Sequence, residues 1–220
     1  MNKITTAKLK RVFSQYPTIK IPKGEIFIKP EDTFENLYFI KTGYVRAYTV
    51  TIKGENSLNL FRPITMISFI HFMTKHKNDF YFQALTSLEL HVVSHSEFRK
   101  LLAKDPSISS LVMDFFSGSL LNLFVNQGNI INGNAQNKIA SVLLQLTDDY
   151  GEQKNNKLVV NFPATHRIIA NIVGLTRETT SVQMSNFQKA GVISTKRAHF
   201  TVLDLEKLKK MSILQRSTDY

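Results

Sequence analysis

The chain of 220 residues contains no cysteine. That excludes disulfides, thiolate metal sites, cysteine-held iron–sulfur clusters and thiol redox sensing. No apolar run approaches the roughly 20 residues needed to cross a bilayer. No apolar stretch follows the first lysines, so no secretory signal is visible. The expected compartment is the cytoplasm, without a membrane partner. Acid is also scarce. Asp and Glu number 17 against 28 Lys and Arg, a formal net charge of +11. Such a balance suits a polyanionic partner. Nucleophile elbows, glycine-rich phosphate loops and paired carboxylates are all missing. His91 and His95 stand four apart on a strand-like segment, and His71 and His76 flank a helix–loop, with no third ligand at useful spacing. The expectation is therefore no enzyme, no metal and no cofactor.

What is present is a packed-core composition, 43% hydrophobic, and one stretch that organises the rest, THRIIANIVGLTRETTSVQMSNF over Thr165–Phe187. Ile168, Ile169, Ile172 and Val173 have helical spacing. Gly174 suits a left-handed helix end. Thr176 can cap a second helix, with Glu178 in its first turn at the positive end. Two helices joined by a short glycine-containing turn make a helix-turn-helix, whose second helix enters the DNA major groove. Arg177, Glu178 and Ser181 stand at the exposed start of that helix. The segment from Pro163 to Phe200 carries Arg167, Arg177, Lys189, Lys196 and Arg197 against the single acid Glu178. Val192–Ser194 and Phe200–Leu203, joined by Thr195–His199, read as a hairpin wing. Lys196, Arg197 and His199 at its tip can meet phosphates, which position a protein without reading sequence.

Upstream, Thr5–Tyr16 reads as a short helix with Leu9, Val12 and Phe13 on one face. From Thr18 short β-rich runs alternate with turns at Pro22–Gly24, Pro30–Thr33, Thr42–Gly43 and Lys53–Gly54. Strands at Ser57–Phe61, Phe80–Leu85 and Leu88–Val93 complete an antiparallel sandwich or barrel. Ser96 is the expected cap of a helix over Glu97–Ala103. A long helix follows Asp105–Pro106, from Ser107 to about Ile131. Met113, Phe116, Leu120, Leu123, Gln127 and Ile130 step by three and four along it, a seam able to pair with the same seam of a second copy. Leu111, Phe115 and Phe124 lie on its other faces, so the helix is expected to pack on the sheet domain as well. Asn132–Asn134 reads as a hinge, Ala135–Thr147 as an amphipathic helix, Asp148–Lys157 as a loop and Leu158–Phe162 as a strand. Asp204–Met211 reads as a last helix, with a mobile tail after it.

KGEIFIKPEDTFENLYFIKTGYVRAY resembles the opening of a cyclic-nucleotide-binding β-roll, and the order of elements resembles the cyclic-AMP receptor protein / fumarate-nitrate reduction regulator family (Crp/Fnr). The most specific pieces are Lys23–Gly24–Glu25, Leu37–Tyr38–Phe39, Gly43 and Thr176–Arg177–Glu178–Thr179. The resemblance implies an α+β chain: a β-roll sensor domain over 1–105, a dimerisation helix over 106–132 and a winged helix-turn-helix over 133–220. It further implies a homodimer on double-stranded DNA that acts with RNA polymerase. Reader roles pass to Arg177, Glu178 and Ser181, with Thr165, Thr176 and Val182 beside them. Many members have Arg directly after the serine position. Val182 stands there instead. Valine can touch a thymine methyl but donates nothing, so the half-site should differ. Thr180 and Gln183 occupy positions where aliphatics are expected, and Gln183 either faces DNA or bonds to backbone.

In cyclic-AMP-binding members a Gly-Glu pair and an Arg-Ser pair hold the ribose and the phosphate. Here Ser68–Phe69 and Asn78–Asp79 fall at those places. No arginine lies between Arg62 and Arg99, and Lys75 and Lys77 lack the arginine fork. The expectation is no cyclic-AMP dependence. Phe61, Phe69, Phe72, Asn78, Phe80 and Phe82 mark either a pocket for an apolar effector or a filled core, with the filled core favoured. Two other readings stay open: a protein-interaction module with a vestigial DNA-binding domain, and a β-roll metal enzyme fused to one.

Overall fold

Helix α1 (Lys3–Phe13) forms where Leu9 and Phe13 stand one turn apart, and it buries both completely. The computed structural model describes residues 3–52, 54–74, 76–154, 157–196 and 198–212. After α1 come β1 (Thr18–Ile21), β2 (Ile26–Ile28), β3 (Asn36–Thr42), β4 (Val45–Thr51), β5 (Gly54–Phe61) and β6 (Met66–Ile67). A short helix, α2 (Phe69–Thr74), separates these from β7 (Tyr81–Ala84) and β8 (Leu88–Ser94). The strands form two four-stranded antiparallel sheets, ordered β1-β8-β3-β6 and β2-β7-β4-β5. Gly43, at φ 90, makes the turn from β3 to β4. A side chain there would run into the Ser87 carbonyl.

Strand periodicity distributes the apolar residues between two clusters. Ile40, Leu88 and Leu90 of one sheet meet Val45, Ala47, Phe82 and Ala84 of the other, so one cluster lies between the sheets. Leu37, Phe39 and Val93 alternate with these and face helices. There Phe39 stacks on Phe13 with ring centroids 4.2 Å apart, a pairing worth about 0.5–1.5 kcal/mol beyond its burial. Helices α3 (His95–Lys104) and α4 (Pro106–Asn132) complete this second cluster through Phe98, Ile108 and Val112. Helix α3 is capped by Ser94, not by Ser96. Ser94 accepts from the Glu97 amide and Glu97 reaches back, a capping box that starts the helix at His95. Pro106 takes the first position of α4, where its missing N–H costs nothing.

The second half holds α5 (Ala135–Tyr150), β9 (Gly151–Lys154), β10 (Lys157–Val160), α6 (His166–Val173), α7 (Arg177–Lys189), β11 (Ile193–Lys196), β12 (His199–Val202) and α8 (Leu205–Met211). Its sheet runs β11-β12-β10-β9. The stretch Asp148–Lys157 is therefore not a loop. Tyr150 is buried and stacks on Phe162 at 4.8 Å, which carries α5 through Tyr150, and Gly151–Lys154 then pairs with β10. The wing strands reach Lys196 and His199, so the wing turn is tighter than the sequence suggests. The chain divides into two compact units, Met1–Leu120 and Leu121–Tyr220, with the division inside α4. Among the described residues no helix is long and apolar enough to cross a membrane. The tail after Ser212, Lys53, Lys75 and Arg197 lie outside the described residues.

Two imidazoles pack at α2. His71, on the helix, lies tilted against Phe34 at 4.3 Å, and His95 meets Phe72 of the helix at 5.0 Å. His71 Nδ1 and His95 Nε2 are buried without a hydrogen-bond partner. Burial holds both rings below the ordinary histidine range. Asp79 pushes His71 back up while His76 lowers it, and Arg99 adds to the lowering at His95. Each ring thus binds a proton less readily when folded than when unfolded. The stability linked to it is present above the ordinary value near 6.5 and is lost as pH falls through the depressed folded value. Carboxylates held low by partners, Glu89 by Lys41 and Glu97 by Ser94, act at more acid pH. The thermal midpoint should therefore fall between about pH 7.5 and about pH 5.5. The fall should shrink when His71→Gln and His95→Gln are combined; an unaltered pH profile in that variant would contradict the assignment.

Candidate nucleic-acid interface

Two caps and one turn set the interface. Thr165 opens α6, its hydroxyl accepting from the Ile168 amide at 3.2 Å. Gly174 closes α6 in the left-handed region, φ 67 and ψ 35. Thr176 then opens α7, its hydroxyl accepting from the Thr179 amide at 3.1 Å, a cap worth about 1 kcal/mol. Thr180, Met184 and Phe187 turn inward, where α7 lies against α5 and α6. Thr180 is fully buried, yet its hydroxyl donates to the Thr176 carbonyl at 3.0 Å. A threonine therefore serves in an apolar place without stranding a polar atom. Gln183 is half-buried.

With that face inward, Arg177, Glu178 and Val182 are exposed and Ser181 is half-buried. These four residues together line a shallow concavity of about 360 Å³. All four were singled out from sequence, and the structure brings them together at the N-terminal end of α7. A second cleft, about 380 Å³, lies between the first turn of α6, the start of α7 and the wing. It joins the expected Thr165, Arg177 and His199 to His166, Arg167 and Thr195, which sequence reasoning had not assigned to the site. The position of His166 and Arg167 directly behind the Thr165 cap was the available signal. The N-terminus of α6 adds a positive dipole end to this cleft. Thr195 Oγ1 donates to Gln188 Oε1 at 2.9 Å, tying the wing to α7. Lys207 Nζ donates to the Ala190 carbonyl at 2.9 Å, holding the other end of α7. Lys196 and His199 face each other across the hairpin, both exposed.

The six residues expected to form a seam on α4 do not share one degree of exposure. Met113, Leu120 and Leu123 are exposed, with Leu121 and Phe124 beside them. Phe116 is not on that exposed stripe. Its ring meets Phe69 at 5.4 Å, because it completes the cluster beneath the helices. The side chains of Gln127 and Ile130 lie outside the described residues.

The six residues offered for an effector pocket do not surround one space. Phe69 and Phe72 belong to the cluster under the helices, while Phe61, Phe80 and Phe82 belong to the one between the sheets. Phe69 and Phe72 sit on α2, which packs with α3 and α4, whereas Phe61 and Phe82 sit on strands of the β2-β7-β4-β5 sheet. Asn78 is buried, its amide donating to the carbonyls of Lys29 and Phe80 and its oxygen accepting from the Phe80 amide. Ser68 stands at φ 69, a conformation that favours glycine, and its hydroxyl donates to the Asn36 carbonyl at 2.8 Å. Among the described residues no group of three or more His, Cys, Asp or Glu side chains could hold a metal ion.

A β-roll, a long helix with an exposed apolar stripe and a winged helix-turn-helix with a basic reading face define a DNA-binding transcription regulator. A cyclic nucleotide-binding domain model matches residues 18–105, and a Crp-like helix-turn-helix domain model matches residues 137–211. The fumarate and nitrate reduction regulatory protein of Vibrio cholerae is 24% identical over 195 residues, covering 87% of this chain and 77% of that protein. The anaerobic regulatory protein of Haemophilus influenzae is 26% identical over 192 residues, covering 86% and 73%. The structure of FixK2 from Bradyrhizobium japonicum superposes with a TM-score of 0.79 at 17% identity, covering 90% of this chain and 98% of that one. The chain belongs to the Crp/Fnr family of transcription regulators. Its relatives are regulators and not enzymes.

Proposed function

We propose that two copies of this chain, joined along α4, read a near-palindromic operator through paired α7 helices. The observation that carries the reading is the shared concavity of Arg177, Glu178, Ser181 and Val182. Arg177 donates to guanine O6 and N7, and Glu178 accepts from cytosine N4. Thr165, Thr176, Lys196, Arg197 and His199 serve the phosphates, with His166 and Arg167 added by the second cleft. Two recognition helices then enter successive major grooves about 34 Å apart. The exposed Met113, Leu120, Leu123 and Phe124 supply an apolar seam for the second copy. The family supports a cytoplasmic protein acting with RNA polymerase. A domain order of roll, α4 and winged helix, with the hinge at Asn132–Asn134, fits this arrangement.

Cyclic AMP is not the signal in this reading. Phe69 stands where a ribose-binding carboxylate is expected, and it is buried against Phe72 and Phe116. Asn78 stands where the phosphate-binding arginine is expected, with its amide committed to backbone carbonyls. An arginine fork would neutralise the phosphate; an amide turned to its own backbone does not.

Arg177→Ala should cost about 1–3 kcal/mol on the cognate site and relax discrimination at one base pair. Selection from randomised duplexes measures this, and unchanged selectivity would remove Arg177 from its role. Leu123→Glu should give monomers by light scattering and lose operator binding; a persistent dimer would place the seam elsewhere. Calorimetric titration with cyclic AMP should show no heat of binding, whereas micromolar affinity would overturn the claim about the roll.

A further inference from the structure

We infer that Val182 makes a thymine methyl a required element of each operator half-site, a specificity that rests on the DNA-reading role proposed above. Val182 is 59% exposed, whereas Thr180, Met184 and Phe187 on the same helix are buried. A lone exposed apolar residue is ordinary on a protein surface. This one is set apart by its neighbours. It follows Glu178 by four residues, so the two share a helix face. It lines the same concavity as Arg177, Glu178 and Ser181. A base pair next to those met by the polar groups therefore comes within reach of the valine.

The major groove offers one apolar group on its floor, the C5 methyl of thymine. Valine in a helix holds essentially one side-chain rotamer, so its methyls are presented with little entropy left to lose. Val182 thus favours thymine over cytosine through the methyl that cytosine lacks. The adjacent Ser181 hydroxyl can bond to either kind of base and adds little to that choice.

The test begins with duplexes selected by the full-length protein from a randomised pool. Deoxyuridine then replaces thymine, one position at a time, which removes only the methyl. In wild type one symmetry-related thymine should respond, with binding weaker about four-fold per half-site and about fifteen-fold when both are changed, the worth of a buried methyl in each. Val182→Ala should bind thymine and deoxyuridine duplexes alike, and Val182→Ile should restore the difference. The inference is overturned if no thymine responds, or if Val182→Ala keeps the wild-type penalty. Should wild type select no sequence at all, the DNA-reading role itself falls and this inference with it. Selective binding that is indifferent to the methyl leaves the role standing and removes Val182 from it.

Discussion

The seating of α7 is the constraint on which the reading face depends. Thr180, Met184 and Phe187 fix the rotation of this helix by facing inward, and the Thr176 cap fixes where it begins. A turn of about 100° about its axis, one residue's worth of helix, would put Ser181, Ser185 and Gln188, or Thr179, Gln183 and Asn186, in their place. Polar side chains buried there without partners would cost free energy, and the apolar contacts of Met184 and Phe187 would be lost. Thr180 makes the arrangement self-consistent, since its hydroxyl closes onto the Thr176 carbonyl at the very turn that Thr176 caps. The far end is held by Lys207 and the wing by Thr195 and Gln188. Recognition helix and wing are therefore presented as one body with few soft joints.

The roll shows an inherited shape filled with different chemistry. Ser68 keeps a left-handed backbone that glycine would adopt freely, while Phe69 turns into the apolar cluster. Phe69 in turn meets Phe116 of α4. Position 69 is thereby a packing contact to the helix that carries the exposed apolar residues. Any signal this chain receives must also pass without cysteine. His71, on the same short helix as Phe69, and His95, against Phe72, are two half-buried titratable groups of this cluster's surroundings.

The helix-turn-helix was legible almost to the residue because its boundaries are written in single side chains. Thr165, Gly174 and Thr176 each have one good use, and each has it here. Helical geometry puts Arg177, Glu178 and Ser181 at the start of α7; their expected reader roles, and the attention to Val182, come from the resemblance to the family. Other features depended on partners distant in sequence. Nothing local says that Tyr150 stacks on Phe162, so α5 was ended early and a strand was missed. Nothing in the heptad spacing says that Phe116 is taken by Phe69, so the seam included it. The aromatic residues of the roll look like one group along the chain, but Phe69 and Phe72 fall on the short helix α2 and pack with other helices, while Phe61, Phe80 and Phe82 pack between the sheets. Capping at α3 was misplaced by two residues because Ser94 and Ser96 are both suitable, and only Ser94 stands three residues before Glu97.

The central claim is that the start of α7 meets base edges in the major groove, twice per operator. Methylation protection tests it most directly, because dimethyl sulfate attacks guanine N7 on that groove's floor. The account predicts guanine protection in two half-sites about one helical turn apart, present with wild type and absent at the same guanines with Arg177→Ala. Protection confined to minor-groove adenines, or a single unpaired footprint, would contradict it.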